Sequence, residues 1–261
     1  MDLGLVGRTA LVLGGGGGLG RAIAKTLSIE GAKVAVGDLD AAAVNRSVQE
    51  MEAAGAEALA LVWDLADLAG IDTTVRSIEK RFGPVDVLIN ITGGPPPTPA
   101  AGQDPGLWSK HFQAMVLPII AITDRVLPGM KARGGGRIIT SASSGVVTPI
   151  PNLALSNSLR LSLVGWSKTL AQEVARDGIT ANIVLPGRIA TDRIRYLDEA
   201  KARRESRSIE AVAAESTRSI PIGRYGNPEE YADAVAFLAS TRASYITGSV
   251  IRIDGGLIAS I

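Results

Sequence analysis

The residues Thr9-Ala10-Leu11-Val12-Leu13 form an apolar run that stops at glycine, and from 19 to 29 the apolar positions recur with the period of a helix. This pattern predicts strand, turn, helix. It continues with a strand at 33–37, a helix at 41–54, a strand at 58–63, a helix at 68–82 and a strand at 85–90. Three later units pair a helix at 107–132 with a strand at 137–141, a helix at 155–175 with a strand at 180–185, and a helix at 228–239 with a strand at 250–253. Strands alternating with helices predict an α/β, doubly wound architecture: a seven-stranded parallel sheet with helices on both faces. The strands are continuous Val/Ile/Leu runs, as expected where helices cover both faces, and the ligand crevice is then expected at their carboxyl ends.

Two stretches break the rhythm. Gly93-Gly94-Pro95-Pro96-Pro97-Thr98-Pro99 reads as a stiff extended loop, and 188–219 is a charged, variable segment between the last two units. Neither has the character of a linker. With 261 residues, 46% of them hydrophobic, residues 1–261 are expected to form a single domain around one core.

Composition removes several kinds of chemistry. Lys and Arg number 27 against 26 Asp and Glu, so no global field favours nucleic acid, and no apolar run reads as long enough to span a bilayer. The absence of cysteine excludes disulfides, thiolate metal sites and cysteine nucleophiles, and one histidine argues against a histidine-built metal site or a Ser-His-Asp triad. Met1-Asp2-Leu3-Gly4 lacks the basic-then-apolar pattern of a signal peptide, which sets a cytoplasmic expectation.

The chemistry begins at Gly14-Gly15-Gly16-Gly17-Gly18-Leu19-Gly20. A strand ending at Gly14 and a helix resuming at Leu19 place backbone N–H groups and a positive helix end against a pyrophosphate, where side chains would obstruct. This is a Rossmann-type turn; the alternative is a flexible polyglycine linker. Asp38 closes the second strand, where a carboxylate accepts the adenosine ribose hydroxyls and repels a 2′-phosphate, so NAD is expected in preference to NADP. Asp38 could instead cap the next helix, as Asp40 could.

Gly14, Gly18, Leu19 and Gly20, followed by Asp64-Leu65, Asn90-Ile91-Thr92-Gly93, Pro186-Gly187 with Thr191, and Asp254-Gly255-Gly256, resemble the short-chain dehydrogenase/reductase family over nearly the whole chain. Within it, Gly136-Arg137-Ile138-Ile139 and Ile179-Thr180-Ala181-Asn182 look most like the 3-oxoacyl-acyl-carrier-protein reductases. The resemblance implies that Asp64 and Leu65 border the adenine, Asn90 and Gly93 the ribose and the turn after the fourth strand, and Pro186, Gly187, Ile189 and Thr191 the nicotinamide. Ordinary turn and cap chemistry is the alternative for each.

The family works with an Asn, a Ser, a Tyr and a Lys, the Tyr four residues before the Lys so that the ammonium lowers the phenol's pKa. Counting along this chain, Ser143 matches the serine, while the Tyr position falls on Ser156, the Lys position on Arg160 and the Asn position on Met115. A phenol has an intrinsic pKa of about 10, a serine hydroxyl is a far weaker acid, and a guanidinium does not exchange protons usefully near neutrality. Arg160 could still hydrogen-bond the nicotinamide ribose, polarise a carbonyl or clamp an anion, or it could be a solvent-facing helix charge.

Other candidates remain for the missing proton path. Pro118 lacks an N–H and would free the carbonyl of Ala114 to hold a relay water, or would merely kink the helix. His111 and Tyr196 are substitute acids by chemistry alone. Arg188, Arg193, Arg195, Arg203, Arg204 and Arg207 could receive an acyl carrier, coenzyme A or another anionic substrate, or form a solvated helix face.

Two functions therefore stand side by side. One is an NAD-dependent oxidoreductase acting on a small hydroxyl or carbonyl compound, with 3-oxoacyl, anionic and acyl-thioester substrates as candidates and Ser143, Ser156 and Arg160 as its catalytic set. The other is a catalytically silent dinucleotide-binding partner; a non-redox lyase or hydrolase is a third reading that lacks a base beside either serine. The resemblance also implies a homotetramer built on helices 107–132 and 155–175, with Trp108 or Trp166 either anchoring the contact or packing in the core.

Overall fold

A computed structural model describes all 261 residues. Seven strands form one sheet: β1 (Thr9–Leu13), β2 (Lys33–Asp38), β3 (Ala58–Val62), β4 (Val87–Asn90), β5 (Gly136–Ser141), β6 (Ile179–Pro186) and β7 (Val250–Ile253). All are parallel, in the order β3-β2-β1-β4-β5-β6-β7. The nine α-helices are α1 (Gly18–Ile29), α2 (Ala41–Ala53), α3 (Ile71–Phe82), α4 (Pro105–Met115), α5 (Leu117–Ala132), α6 (Ala154–Val174), α7 (Asp192–Glu205), α8 (Ile209–Arg218) and α9 (Pro228–Ala239). The strand order reverses between β1 and β4, and diverging connections at such a point open a crevice at the strand carboxyl ends.

Side chains alternate across each strand, so one run feeds two cores. Val12, Val34, Val36, Ile89, Ile139 and Val184 pack with Ile23 and Leu27 of α1, Val44 and Met51 of α2, and Tyr231 and Val235 of α9. On the other face, Leu11, Leu13, Leu88 and Ile138 meet Val75 and Ile78 of α3, Ile122 and Val126 of α5, and Leu170 of α6. Full burial of each such aliphatic side chain contributes about 1.5–3 kcal/mol.

The stretch expected as one helix over 107–132 is two. Val116 adopts φ −112°, ψ −57° between α4 and α5. Pro118 then occupies the first turn of α5, where its missing N–H leaves no bond unmade, so it starts a helix instead of kinking one. The stretch 105–132 includes an 18-residue window of mean hydropathy 1.2, as apolar as the core helix of a globular protein. Ile122, Val126 and Met130 pack into the core on the α3 side of the sheet, and Met115 and Ile119 pack against Leu155, Leu159 and Leu163 of α6.

The charged segment 188–219 folds into α7, which borders the crevice, and α8, which packs on α7. Thr191 caps α7 by accepting from the Ile194 N–H, and Ser208 caps α8 by accepting from the Ala211 N–H. Between them Ser206 takes a left-handed conformation, φ 51°. Glu215 of α8 accepts from Lys201 of α7 at 2.8 Å and also pairs with Arg207. These two cations hold the Glu215 carboxyl down at about 2. A depressed carboxyl stabilises the fold fully above its ordinary value and loses that contribution as pH falls toward the depressed one. Lowering the pH from 7 to 3 should therefore raise hydrogen exchange, corrected for intrinsic rates, across 192–218 before the sheet responds, and Glu215→Gln should produce the same loosening at pH 7.

Candidate active site

The crevice is built around the passage from β1 into α1. Gly14 has φ +63° and Gly18 φ +51°, conformations that side chains resist. A Cβ on Gly20 would lie 2.0 Å from the Gly14 carbonyl oxygen, and one on Gly15 would lie 2.6 Å from Val36 Cγ1. These contacts press α1 onto the sheet and make the turn an ordered part of the fold, not a linker. Gly17 differs: it is extended, with φ −155°, and a Cβ there would meet nothing within 4 Å. Because Gly17 borders the crevice and no side chain caps α1, the first N–H groups of α1 are left for a ligand. The cradle suits the pyrophosphate of a dinucleotide.

Asp38 sits at the end of β2 and its carboxylate is anchored by backbone. Gly16 N–H donates to one oxygen at 3.0 Å and Asp40 N–H to the other at 3.2 Å. Helix α2 is capped by Asp40, which accepts from the Ala43 N–H at 3.0 Å, so Asp38 is free of the capping role.

The crevice holds about 630 Å³. Gly14, Gly18, Leu19, Gly20 and Asp38 border one side of it. Gly93, Ser143, Ser156, Arg160, Pro186, Gly187, Ile189 and Thr191 border the rest. Asp64, Leu65 and Asn90 do not. Asp64 is exposed and closes its own turn by accepting from the Ala66 N–H at 2.9 Å, and Leu65 packs against the α3-side core. Asn90 is sealed beneath the site, donating to Thr140 Oγ1 at 3.2 Å and so joining β4 to β5.

Ser143 follows β5 in extended conformation, and its Oγ accepts from the Gly145 N–H at 3.1 Å. That bond uses a lone pair and leaves the hydroxyl proton for the crevice. Ser156, in the first turn of α6, is buried against the crevice and bonds to no other protein group. Arg160 lies one turn further along the same face. It is 8% exposed, which rules out the solvent-facing reading. Its Nη1 donates to the Ser141 carbonyl at 3.2 Å, and its Nη2 to the Thr92 and Gly93 carbonyls at 3.1 Å each. Burial, with the nearby Arg193 charge, brings the guanidinium down to about 10, so it stays charged at neutral pH.

The substitute acids are elsewhere. Met115 packs with Leu155, Leu159 and Leu163, and neither it nor Ala114 borders the crevice, so the relay-water role drawn from Pro118 falls away. His111 does not border the crevice either, and burial beside Lys110 pushes its imidazole below the ordinary value. Tyr196 is 41% exposed, with the Arg193 guanidinium 5.5 Å from its ring centroid. Trp108 and Trp166 are partly buried against the Met115 cluster.

Sequence reading passed over Ser141 and Tyr231. Tyr231 is fully buried on α9, its hydroxyl 2.8 Å from Ser141 Oγ, and Ser141 borders the crevice. The one available signal was a phenol in an otherwise aliphatic helix face. Its partner, 90 residues earlier, is chosen by the packing of α9 on β5.

A family model described as enoyl-(acyl carrier protein) reductase matches residues 15–258. The 3-oxoacyl-(acyl-carrier-protein) reductase FabG of Salmonella typhimurium is 36% identical over 254 residues, 96% of this chain and 97% of the relative. The chain belongs to the short-chain dehydrogenase/reductase family. Nodulation protein G of Azospirillum brasilense, 33% identical over 254 residues, is similar across 96% of this chain and 98% of its own. Among solved structures, L-sorbose reductase from Gluconobacter frateurii, complexed with NADPH and L-sorbose, has a TM-score of 0.94 at 30% identity over 100% of both chains. Levodione reductase has a TM-score of 0.92 at 30% identity, covering 98% of this chain and 99% of its own. Short-chain dehydrogenases/reductases with substrates this varied share one scaffold, so membership speaks to the oxidoreductase class and not to the substrate.

Two glycine substitutions separate folding from binding. Gly20→Ala should cost about 3 kcal/mol or more in urea unfolding, because the turn must open to admit the Cβ. Gly17→Ala should unfold within about 1 kcal/mol of wild type yet weaken dinucleotide binding at least about tenfold in fluorescence titration, because its methyl enters the ligand's space.

Proposed function

We propose that the protein is an NAD-dependent oxidoreductase that moves a hydride between nicotinamide and a small hydroxyl or carbonyl substrate, of 3-oxoacyl type by likeness to its relatives. The observation that carries this reading is that the Ser143 and Ser156 hydroxyls and the Arg160 charge share one crevice with the glycine turn and Asp38. The residues fit a dinucleotide: Gly17, Gly18 and Leu19 offer N–H groups to the pyrophosphate, Asp38 faces the adenosine ribose, and Pro186, Gly187, Ile189 and Thr191 receive the nicotinamide. The cofactor supplies the hydride chemistry when bound.

The chain's own residues then orient and stabilise. Ser143 donates its free proton to the substrate oxygen, with Gly145 N–H fixing the hydroxyl. Ser156 adds a second hydroxyl, too weak an acid to act as a phenol would. Arg160 stays protonated and places positive charge behind the ends of β4 and β5, where charge developing on the substrate oxygen is favoured. Three of its five N–H donors are already used, so it acts mainly through charge. Turnover should appear as NADH consumption on mixing with 3-oxoacyl thioesters or simple ketones, and Ser143→Ala should lower kcat about 100-fold or more.

Asp38 supports NAD over NADP, although L-sorbose reductase is complexed with NADPH. The cations bordering the crevice all belong to α6 and the stretch 188–204, so none is supplied from β2 to receive a 2′-phosphate. Wild type should bind NADH at least about tenfold tighter than NADPH, and Asp38→Ala should erase most of that difference in paired titrations.

The presence of Ser156 and Arg160 where relatives by resemblance carry Tyr and Lys favours a second reading, a dinucleotide-binding protein without turnover. Under it, wild type binds NADH but consumes none, and Ser156→Tyr with Arg160→Lys creates reductase activity. Under the first reading the same double change lowers an activity already present. The proposed setting is cytoplasmic, with a homotetramer assembled through α4, α5 and α6.

A further inference from the structure

The cations around the crevice fall into two groups. Arg188 pairs with Asp198 at 2.9 Å, Lys201 with Glu215 at 2.8 Å and Arg204 with Glu205 at 3.1 Å. Arg160 and Arg193 border the same crevice and have no carboxylate partner. Arg160 is satisfied by backbone carbonyls, whereas Arg193 makes one hydrogen bond, from Nη2 to the Pro95 carbonyl at 2.8 Å. Most of its five donors are left over.

Arg193 is held in place for a ligand. Its guanidinium lies against Gly94, where a Cβ would come within 2.6 Å of Nη2, so the glycine makes room for it. The Tyr196 ring supports it at 5.5 Å, and Arg193 lies in the first turn of α7, where the helix dipole adds positive potential. The residue is half-buried, and its charge is felt at Arg160. One buried and one half-buried guanidinium without a counterion leave an unfavourable charge that an anionic ligand would neutralise.

We infer that Arg193, with Arg160 behind it, is the receptor for a carboxylate carried by the substrate. The inference rests on the proposed reading that this crevice also takes a dinucleotide and a carbonyl compound. A planar fork with free donors matches a carboxylate in two parallel hydrogen bonds. The diphosphate of the cofactor already has its own seat in the N–H groups at Gly17, Gly18 and Leu19, whereas Arg193 faces the loop that follows β4.

The test measures binding, so it does not depend on turnover. The complex of wild-type protein with NADH is titrated with hexanoate and with its methyl ester, neither of which has a ketone to accept the hydride, following nicotinamide fluorescence. The acid should bind at least about tenfold tighter than the ester, and more so at low salt. Arg193→Met should abolish that preference while leaving the Kd for NADH within about twofold. Arg193→Lys, which keeps the charge but loses the fork, should fall between. Equal binding of acid and ester, binding of neither, or an unchanged preference in Arg193→Met overturns the inference. Weaker NADH binding by Arg193→Met, matching its loss for the acid, also overturns it and assigns Arg193 to the cofactor diphosphate. Tight hexanoate binding, together with no NADH consumption on 3-oxohexanoate, 3-oxoacyl thioesters or simple ketones, would leave the carboxylate receptor standing and remove the oxidoreductase reading.

Discussion

Everything about the site follows from how closely α1 approaches β1. With no side chain at residue 20, the helix comes down until its backbone almost touches the Gly14 carbonyl, and a Cβ there would sit 2.0 Å from that oxygen. This contact sets the height of the α1 N-terminus above the sheet and keeps its unpaired N–H groups at the rim of the crevice. It also brings Gly16 N–H onto Asp38, so the carboxylate at the end of β2 is oriented by the same turn. Glycines therefore play two separate parts: those at 14, 15 and 20 allow the fold to close, and the one at 17 leaves space outside it.

The opposite side of the crevice is organised by a buried cation. Arg160 extends from α6 across the ends of β4 and β5 and donates to carbonyls on both sides of that junction. A long, always-charged fork suits this task better than a compact ammonium, because it reaches several acceptors at once and tolerates burial when they are provided. Ser141 takes part twice: its carbonyl receives Arg160, and its hydroxyl meets Tyr231 from the far face of the sheet. The site is thus tied to helices on both faces, and its charge is uncompensated by any acid of this chain.

The roof has a different character. Helices α7 and α8 are joined by partly exposed ion pairs, each of small value in water, and α7 is tied to the chain before it by Arg188 with the buried Asp198, which also accepts from Tyr225 at 2.7 Å. Such a segment has a lower opening free energy than the sheet beneath it, which suits a part of the molecule that must admit ligands. Arg193 alone in its first turn is committed to no acid, and it points the roof's remaining charge into the crevice.

Strand and helix periods determined the parallel α/β architecture from the sequence alone, because continuous apolar runs and 3.6-residue repeats are local properties that two-sided burial enforces. The glycine turn and the Asp38 that closes the second strand were legible for the same reason, whereas Ser143, Ser156 and Arg160 were singled out by family resemblance, and the structure puts all three beside the crevice. Only the tertiary structure showed that Asn90 is sealed below the crevice, that Pro118 begins a helix, and that Met115 belongs to the α4–α6 packing. Those outcomes depend on which neighbour a side chain finds across the sheet. It also settled the surroundings of the charged groups, since a run of arginines reads alike in sequence whether each has an acid beside it or not. Ion pairing separates Arg188, Arg204 and Arg207 from Arg193, and it is a matter of distance in space that spacing along the chain does not encode.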